Sequence, residues 1–155
     1  MADNELFKAS LNKAMAMCSK REYCTSDMLG KLQAWGTDDN DNARIIELLK
    51  KQNFINDERY TFGFVRDKYN FNKWGKIKIT VHLKAKNIPG AIIKKALNTI
   101  DNETYKKTLT ILLAAHRRSV KAKNLYDMKA KLLRYGLSKG FESSLLYDLL
   151  NELED

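Results

Sequence analysis

Apolar residues recur at three- and four-residue spacing in nine segments of the chain, the periodicity of amphipathic helices. The nine predicted helices cover 4–20, 25–35, 41–52, 57–69, 75–86, 89–100, 103–121, 125–135 and 139–153. The segments between them are short and polar, as turns between packed helices are. The pattern therefore predicts an all-α protein.

Three of the predicted helices share one internal pattern. It occurs as Met28-x3-Leu32-x3-Gly36, Ile79-x3-Leu83-x3-Asn87 and Met128-x3-Leu132-x3-Gly136. Gly and Asn most readily adopt the left-handed conformation that ends a helix, so each segment is predicted to stop at its last residue. The helices then group into three tandem three-helix repeats, similar to helix-turn-helix units, over residues 1–53, 54–101 and 102–155.

Each repeat of about 50 residues is too small to bury much of its surface alone and is only marginally stable by itself. Neighbouring repeats are therefore expected to pack end to end. The expected architecture is a curved, elongated solenoid.

The stretch from residue 54 to residue 86 carries the clearest local signals. Asn56 is a helix-capping residue, and Asp57 and Glu58 place negative charge at the positive end of the helix that follows. The next predicted helix has two apolar rows, one with Ile77 and Val81 and one with Ile79 and Leu83, and a lysine-rich rim.

Composition supports a helical protein of the cytoplasm. The chain is 44% hydrophobic and has one proline and seven glycines, which disfavours a turn-rich β-protein. Cys18 and Cys24 suggest neither a disulfide framework nor a zinc site, so reduced thiols are expected. The acidic N-terminus has no secretory signal, and the longest apolar run, 111–115, is too short to span a bilayer, so no membrane association is expected.

The net charge of +9 is concentrated in the middle of the chain. Residues 1–62 contain nine Lys and Arg against ten Asp and Glu, residues 63–140 contain nineteen against four, and residues 141–155 contain none against five. Such a concentration attracts polyanions and releases the counterions condensed on nucleic acid. Charge alone leaves two interpretations open, a nucleic-acid contact and a solubilising face.

The residues typical of active sites are missing. The sequence contains neither a GxxxxGK[ST] phosphate loop nor an HExxH metal motif. His82 and His116 lie far apart beside apolar residues, which favours structural roles, and Asp57 with Glu58 is explained by the helix dipole. We therefore expect no catalytic residue, no metal site and no cofactor, and the protein is not expected to be an enzyme.

The candidate binding residues are the basic side chains of the second and third repeats. They are Arg66, Lys68, Lys73, Lys76, Lys78, Lys84, Lys86, Arg117, Arg118, Lys121, Lys123, Lys129, Lys131 and Arg134. Lysines suit phosphates better than base edges, so sequence-specific transcriptional control is disfavoured.

Aromatic residues interleave with these cations and offer faces on which unpaired bases stack, provided that they are exposed. They are Tyr69, Phe71, Trp74, Tyr126 and Tyr135. Most are expected in the core because the helices need large anchors, and Trp74 is expected to be at least half buried.

Several of these motifs together resemble the RecX family, regulators of the bacterial RecA recombinase. The resemblance extends from about Leu11 to Leu153. It is carried by Lys20-Arg21-Glu22-Tyr23, Phe54-Ile55-Asn56-Asp57-Glu58-Arg59-Tyr60, Phe64-Val65-Arg66, Trp74-Gly75 and Lys86-Asn87-Ile88.

The resemblance implies three tandem three-helix repeats and a negative regulator of RecA. Such a protein would bind in the groove of the RecA–DNA filament and hinder its growth or promote its disassembly. RecA's ATPase, strand-exchange and coprotease activities would fall as a result. The implied partners are the RecA filament and single- and double-stranded DNA without sequence preference, and a monomer is expected.

Two positions depart from the family pattern. Cys24 stands where a capping serine is usual, which leaves Thr25 as the expected cap, and Lys76 follows Gly75 where proline is common. The alternatives to RecA regulation are a non-specific DNA-binding or architectural protein and a purely structural helical adaptor. The sequence does not distinguish contact with DNA from contact with RecA alone, or capping from wedging or protomer release.

Overall fold

The computed structural model describes residues 2–154, with side chains from Asn4 onward. Within that range the chain forms nine α-helices and no strand. The helices are α1 (Ala2–Lys20), α2 (Thr25–Trp35), α3 (Asp39–Lys51), α4 (Asp57–Asn70), α5 (Lys76–Ala85), α6 (Gly90–Leu97), α7 (Asn102–Ser119), α8 (Leu125–Ser138) and α9 (Ser143–Asn151). The all-α prediction is confirmed.

Most helices begin at a side chain that accepts a backbone N–H, as the sequence predicts for α4. Asn56 Oδ1 accepts from the Arg59 N–H at 2.9 Å. At α2 the expectation is wrong: Cys24 Sγ, not Thr25, accepts from the Asp27 N–H, at 3.4 Å. Sulfur is a weak acceptor, yet Cys24 holds the extended backbone conformation of a cap and is fully buried.

Two of the three predicted helix stops are confirmed. Gly36 (φ 91°) and Asn87 (φ 60°) follow α2 and α5 in the left-handed conformation. Gly136 is different, because α8 runs through it to Ser138. A Cβ at Gly136 would lie 2.2 Å from a methyl carbon of Leu146, so this glycine serves close packing between α8 and α9.

The described residues form two compact units. The first contains the chain up to Gly63 together with Lys86–Ile88. Its helices α1, α2 and α3 pack against one another around buried apolar side chains. That core includes Met28, Leu32, Ile45, Leu49 and Ile55.

The second unit contains Phe64–Ala85 and the chain from Pro89 onward. Within it α5 packs on α6, α7 on α8, and α8 on α9. Its largest fully buried side chains include Phe141, Ile79, Leu109, Leu132 and Leu146. The repeat boundaries at 53/54 and 101/102 stay a prediction.

A glycine-to-glycine contact fixes the start of α5 inside the second unit. The Gly75 N–H donates to the Lys139 carbonyl at 2.7 Å, and the Ile77 N–H donates to the Gly140 carbonyl at 3.0 Å. A Cβ on Gly75 would lie 2.3 Å from the Gly140 oxygen, and Gly140 itself has a φ of 91°. The turn between α8 and α9 therefore accepts two N–H groups from the α5 start, and only glycines permit the approach.

Candidate filament or nucleic-acid interface

The two units differ sharply in charge. The first contains ten Lys and Arg against ten Asp and Glu, whereas the second contains eighteen against nine. The whole net charge of +9 thus resides in the second unit. The net electrostatic attraction for a polyanion therefore originates in this unit.

Lys86 is the one predicted binding residue that belongs to the first unit. Its ammonium lies 2.7 Å from a carboxylate oxygen of Asp27 and 5.9 Å from the centre of the Tyr60 ring. Burial alone would lower the pKa of Lys86, but the hydrogen bond to Asp27 and the negative charge nearby outweigh it, and the pKa is raised. This cation therefore makes a contact within the first unit and is less available to a ligand than an unpaired lysine.

Two of the predicted lysines lie over the ring of Trp74. The ammonium groups of Lys68 and Lys78 lie 4.8 Å and 4.7 Å from the centre of its ring. Trp74 also packs edge-on against Phe64 and is more than half buried, as predicted. A cation above an indole face is attracted by the ring's quadrupole, so Trp74 positions the two ammoniums.

Lys76 is held in a related way. Its ammonium lies 4.7 Å from the centre of the Tyr105 ring, and its backbone N–H donates to the Tyr105 hydroxyl at 2.9 Å. That hydroxyl donates in turn to Glu142, and burial together with this carboxylate raises the pKa of Tyr105. Among the described residues, no carboxylate oxygen lies within 4 Å of the Lys68, Lys76 or Lys78 ammonium.

A groove between α5 and α6 gathers three lysines. Its volume is about 310 Å³, and Lys76, Lys84 and Lys94 line it beside Ile93 and Leu97. None of the described residues along it is acidic. Three cations without a counter-charge make this groove suitable for a phosphate or a carboxylate.

Two lysines near these groups are absent from the sequence-based set. Lys94 on α6 lines the groove together with Lys84, and the two predicted helices 75–86 and 89–100, separated by two residues, were the signal that could have identified it. Lys139 donates from its ammonium to the Asn72 carbonyl at 2.7 Å. Burial and the nearby positive charge of Lys78 lower the pKa of Lys139.

Some of the cations at the end of α7 and along α8 form hydrogen bonds or ion pairs within the protein. The Arg117 guanidinium donates to the Glu154 carbonyl at 2.9 Å, whereas Arg118 is exposed. Lys131 lies 3.2 Å from an Asp127 oxygen and donates to the Lys121 carbonyl at 2.6 Å. The backbone N–H of Lys123 and the ammonium of Lys131 lower the pKa of Asp127.

The remaining predicted cations lie at the edges of the second unit. Arg66 contacts its neighbour Asp67 at 3.2 Å, and Lys73 is exposed in the turn before α5. Lys123 and Arg134 are exposed, and Lys129 is half-buried.

Only two of the five candidate stacking residues present a free ring. Phe71 is 80% exposed and Tyr126 84% exposed. Tyr69 is buried with its hydroxyl 2.8 Å from that of Thr108, and Tyr135 stacks on His116 at 3.8 Å between ring centres. Of these five candidates, Phe71 and Tyr126 are therefore the ones that an unpaired base can reach.

No group of three or more His, Cys, Asp or Glu side chains in the described part of the chain has the arrangement of a metal site. Within residues 2–154, no helix combines the length and apolar character that a membrane span requires.

Sequence comparisons identify similar proteins. The model of the second three-helix domain of RecX matches residues 56–97. The regulatory protein RecX of Clostridium beijerinckii is 29% identical over 99% of this chain and 72% of its own length. That of Clostridium botulinum is 32% identical over 79% of this chain and 58% of its own. That of Prosthecochloris aestuarii is 27% identical over 99% and 98%.

Solved structures share the fold. The crystal structure of RecX from Lactobacillus salivarius superposes with a TM-score of 0.83 at 22% identity, covering 97% of both chains. A second crystal structure of regulatory protein RecX gives a TM-score of 0.88 at 23% identity, covering 97% of this chain and 74% of that one. At these identities the likeness shows the fold alone.

Proposed function

Because the chain belongs to the RecX family of regulatory proteins, we propose that it is a negative regulator of the RecA recombinase. In this proposal it binds in the groove of the RecA–DNA filament as a monomer in the cytoplasm. It catalyses no reaction of its own. It lowers RecA's ATPase, strand-exchange and coprotease activities by hindering filament growth or promoting disassembly.

The observation that carries the proposal is the unneutralised charge of the second unit. Lys68, Lys76 and Lys78 are held over aromatic rings, away from carboxylates, so their ammoniums are already positioned for an anionic partner. A positioned cation loses less conformational entropy on binding than a free lysine does. A DNA–protein filament offers both phosphates and acidic side chains to such a surface.

The test is RecA's ATPase rate on single-stranded DNA, titrated with this protein at moderate salt and with RecA from the same source. A regulator of the filament should inhibit well below one molecule per RecA protomer. If the rate stays unchanged up to an equimolar ratio, the proposal is wrong.

One observation supports a second candidate, a DNA-binding protein that acts without RecA. Phe71 and Tyr126 are exposed among cations, and stacking of a base on an aromatic ring contributes about 1–3 kcal/mol. This candidate predicts salt-dependent binding to single-stranded DNA that Phe71→Ala and Tyr126→Ala weaken, with RecA's ATPase rate unaffected.

A further inference from the structure

Helix α5 is apolar on two opposite faces. Ile79 and Leu83 are fully buried in the second unit, as an amphipathic helix requires. Ile77 and Val81, one helical turn apart, are 48% and 59% exposed, and Ala85 continues the row. A surface helix ordinarily carries polar side chains on its outer face, so packing within the unit does not account for the exposed part of this row.

Cations border the row on both sides. At 100° per residue, Lys84 lies next to Ile77 and Val81 on the side of the α5–α6 groove. Lys78 lies on the other side, as does the imidazole of His82, and both side chains contact Trp74, at 4.7 Å and 4.5 Å from the ring centre. The outer face of α5 is thus a narrow apolar centre between two positive edges.

Aliphatic side chains distinguish a protein partner from DNA. Ile77 and Val81 neither neutralise phosphates nor offer a flat face to a base, and burial against sugar–phosphate would desolvate phosphates without compensation. Against an apolar protein surface the same side chains gain the free energy of leaving water, and the flanking cations pair with carboxylates.

We propose that the outer face of α5, formed by Ile77, Val81 and Ala85, docks on a protein surface that has an apolar centre flanked by carboxylates. This inference rests on the proposed function, in which that surface belongs to a RecA protomer and not to the DNA of the filament. Lys76 and Lys94 of the α5–α6 groove remain available to phosphate.

The test adds positive charge where the two interpretations predict opposite signs. In the Ile77→Lys/Val81→Lys variant, docking on protein should weaken because two ammoniums would have to be desolvated against an apolar surface. We expect about a tenfold or greater loss of affinity for RecA filaments, as for a central interface residue. Affinity for DNA alone should stay equal or rise with the added charge.

The matched control is Ile111→Lys/Leu137→Lys. These two side chains are also in the second unit, on α7 and α8, and are 66% and 45% exposed. The control variant adds the same charge to comparable apolar positions. It should bind filaments as tightly as the wild type does.

A milder variant separates a loss of binding from a loss of folding. Ile77→Ala/Val81→Ala shortens the same side chains and raises helix propensity, so its helicity and unfolding midpoint should be retained. It should lose about threefold to tenfold in filament affinity.

Equal affinity of both α5 variants and the wild type would overturn the inference and leave RecA regulation intact. A wild-type protein that does not bind RecA filaments at all would overturn the regulation and the inference together. Tighter filament binding by the lysine variant would assign the α5 face to DNA and also overturn the inference.

Discussion

Two groups of cations, one in each unit, are held in opposite ways. In the first, Lys86 pairs with Asp27 and Arg59 pairs with Glu22, so these charges hold helices together. In the second, Lys68 and Lys78 lie over Trp74 and away from carboxylates. A pair of opposite charges stabilises a fold and cancels its own field, whereas a cation over a ring is positioned and keeps its charge.

This difference explains why total charge is a poor guide to the binding surface. Lys86 and Lys84 are two positions apart in sequence, yet Lys86 is paired in the first unit and Lys84 lines the open groove of the second. Identical residue types therefore contribute differently, and their neighbours decide which of them can meet a partner.

The largest expected effect comes from the close contact of Gly75 with Gly140 in the second unit. In Gly75→Ala, the new Cβ would meet the Gly140 backbone, which cannot move as a side-chain tip does, so we expect a loss of about 3 kcal/mol or more in unfolding free energy. Urea unfolding of the variant and the wild type measures this loss.

The control for Gly75→Ala is Gly30→Ala in α2, where nothing lies within 4 Å of the added Cβ. Because Gly30 is inside a helix, this substitution should stabilise the protein by about 0.5–1 kcal/mol. Equal stability of the Gly75→Ala variant and the wild type would contradict the packing described here.

Charge reversal in the second unit should be the next largest effect. Lys76→Glu/Lys78→Glu, and separately Arg117→Glu/Arg118→Glu, should weaken inhibition of RecA about tenfold, roughly 1.4 kcal/mol. The salt dependence of DNA binding should flatten by roughly 0.9 in log–log slope for each phosphate that the variant no longer neutralises. Inhibition and DNA-binding titrations at several salt concentrations measure both effects, and helicity should be unchanged.

Lys8→Glu/Lys31→Glu is the matched reversal in the first unit, where both side chains are exposed. It should change inhibition little. Full inhibition by both second-unit variants would exclude these four cations from the mechanism.

The Lys86–Asp27 ion pair of the first unit should contribute less to the unfolding free energy. A double-mutant cycle of Lys86→Met and Asp27→Asn should give a coupling energy of about 1 kcal/mol from thermal or urea unfolding. Because the pKa of Lys86 is raised in the folded state, this stability is fully present below the unfolded pKa of about 10.4 and is lost as the pH rises through the folded value.

The coupling should therefore be the same at pH 6 and pH 8 and should decline only in strongly alkaline solution. A coupling that disappears on acidification to pH 6 would contradict the assignment to Lys86. Inhibition of RecA should not depend on this pair.

The smallest effect concerns the positioning of the lysines. Trp74→Leu leaves every charge in place but removes the ring beneath Lys68 and Lys78, so filament affinity should fall about threefold, within the 0.5–1 kcal/mol of an exposed cation–π contact. Trp35→Leu removes a ring that lies 4.4 Å from the Lys13 ammonium in the first unit. A filament-binding assay should show no change for Trp35→Leu, and equal losses in both variants would argue against positioning.

Periodicity was sufficient to predict every helix because each has an apolar face to bury. It was not sufficient where one residue type serves two purposes. Gly36 and Gly136 occupy the same place in the repeated pattern, but Gly36 supplies a left-handed φ and Gly136 leaves space for Leu146. Only the packing of α8 on α9 distinguishes them.

The candidate site was predicted as a set of cations and not as an arrangement. The two apolar rows of α5 are equivalent in sequence, so which row is buried depends on packing with the rest of the second unit. The groove of Lys76, Lys84 and Lys94 depends on how α5 meets α6. These features are tertiary, and a pattern along one chain does not contain them.

The chain segments that form the first unit also affect when this unit can fold during translation. Because Lys86–Ile88 belongs to that unit and Ile88 is buried, the N-terminal unit is incomplete until this tripeptide has left the ribosome. By then the chain of α4 and α5 has already been synthesised. Folding during translation, which usually proceeds from the N-terminus, is therefore expected to complete this unit only after that segment emerges, and a fragment that ends at Gly63 would leave Asp27 without its cation.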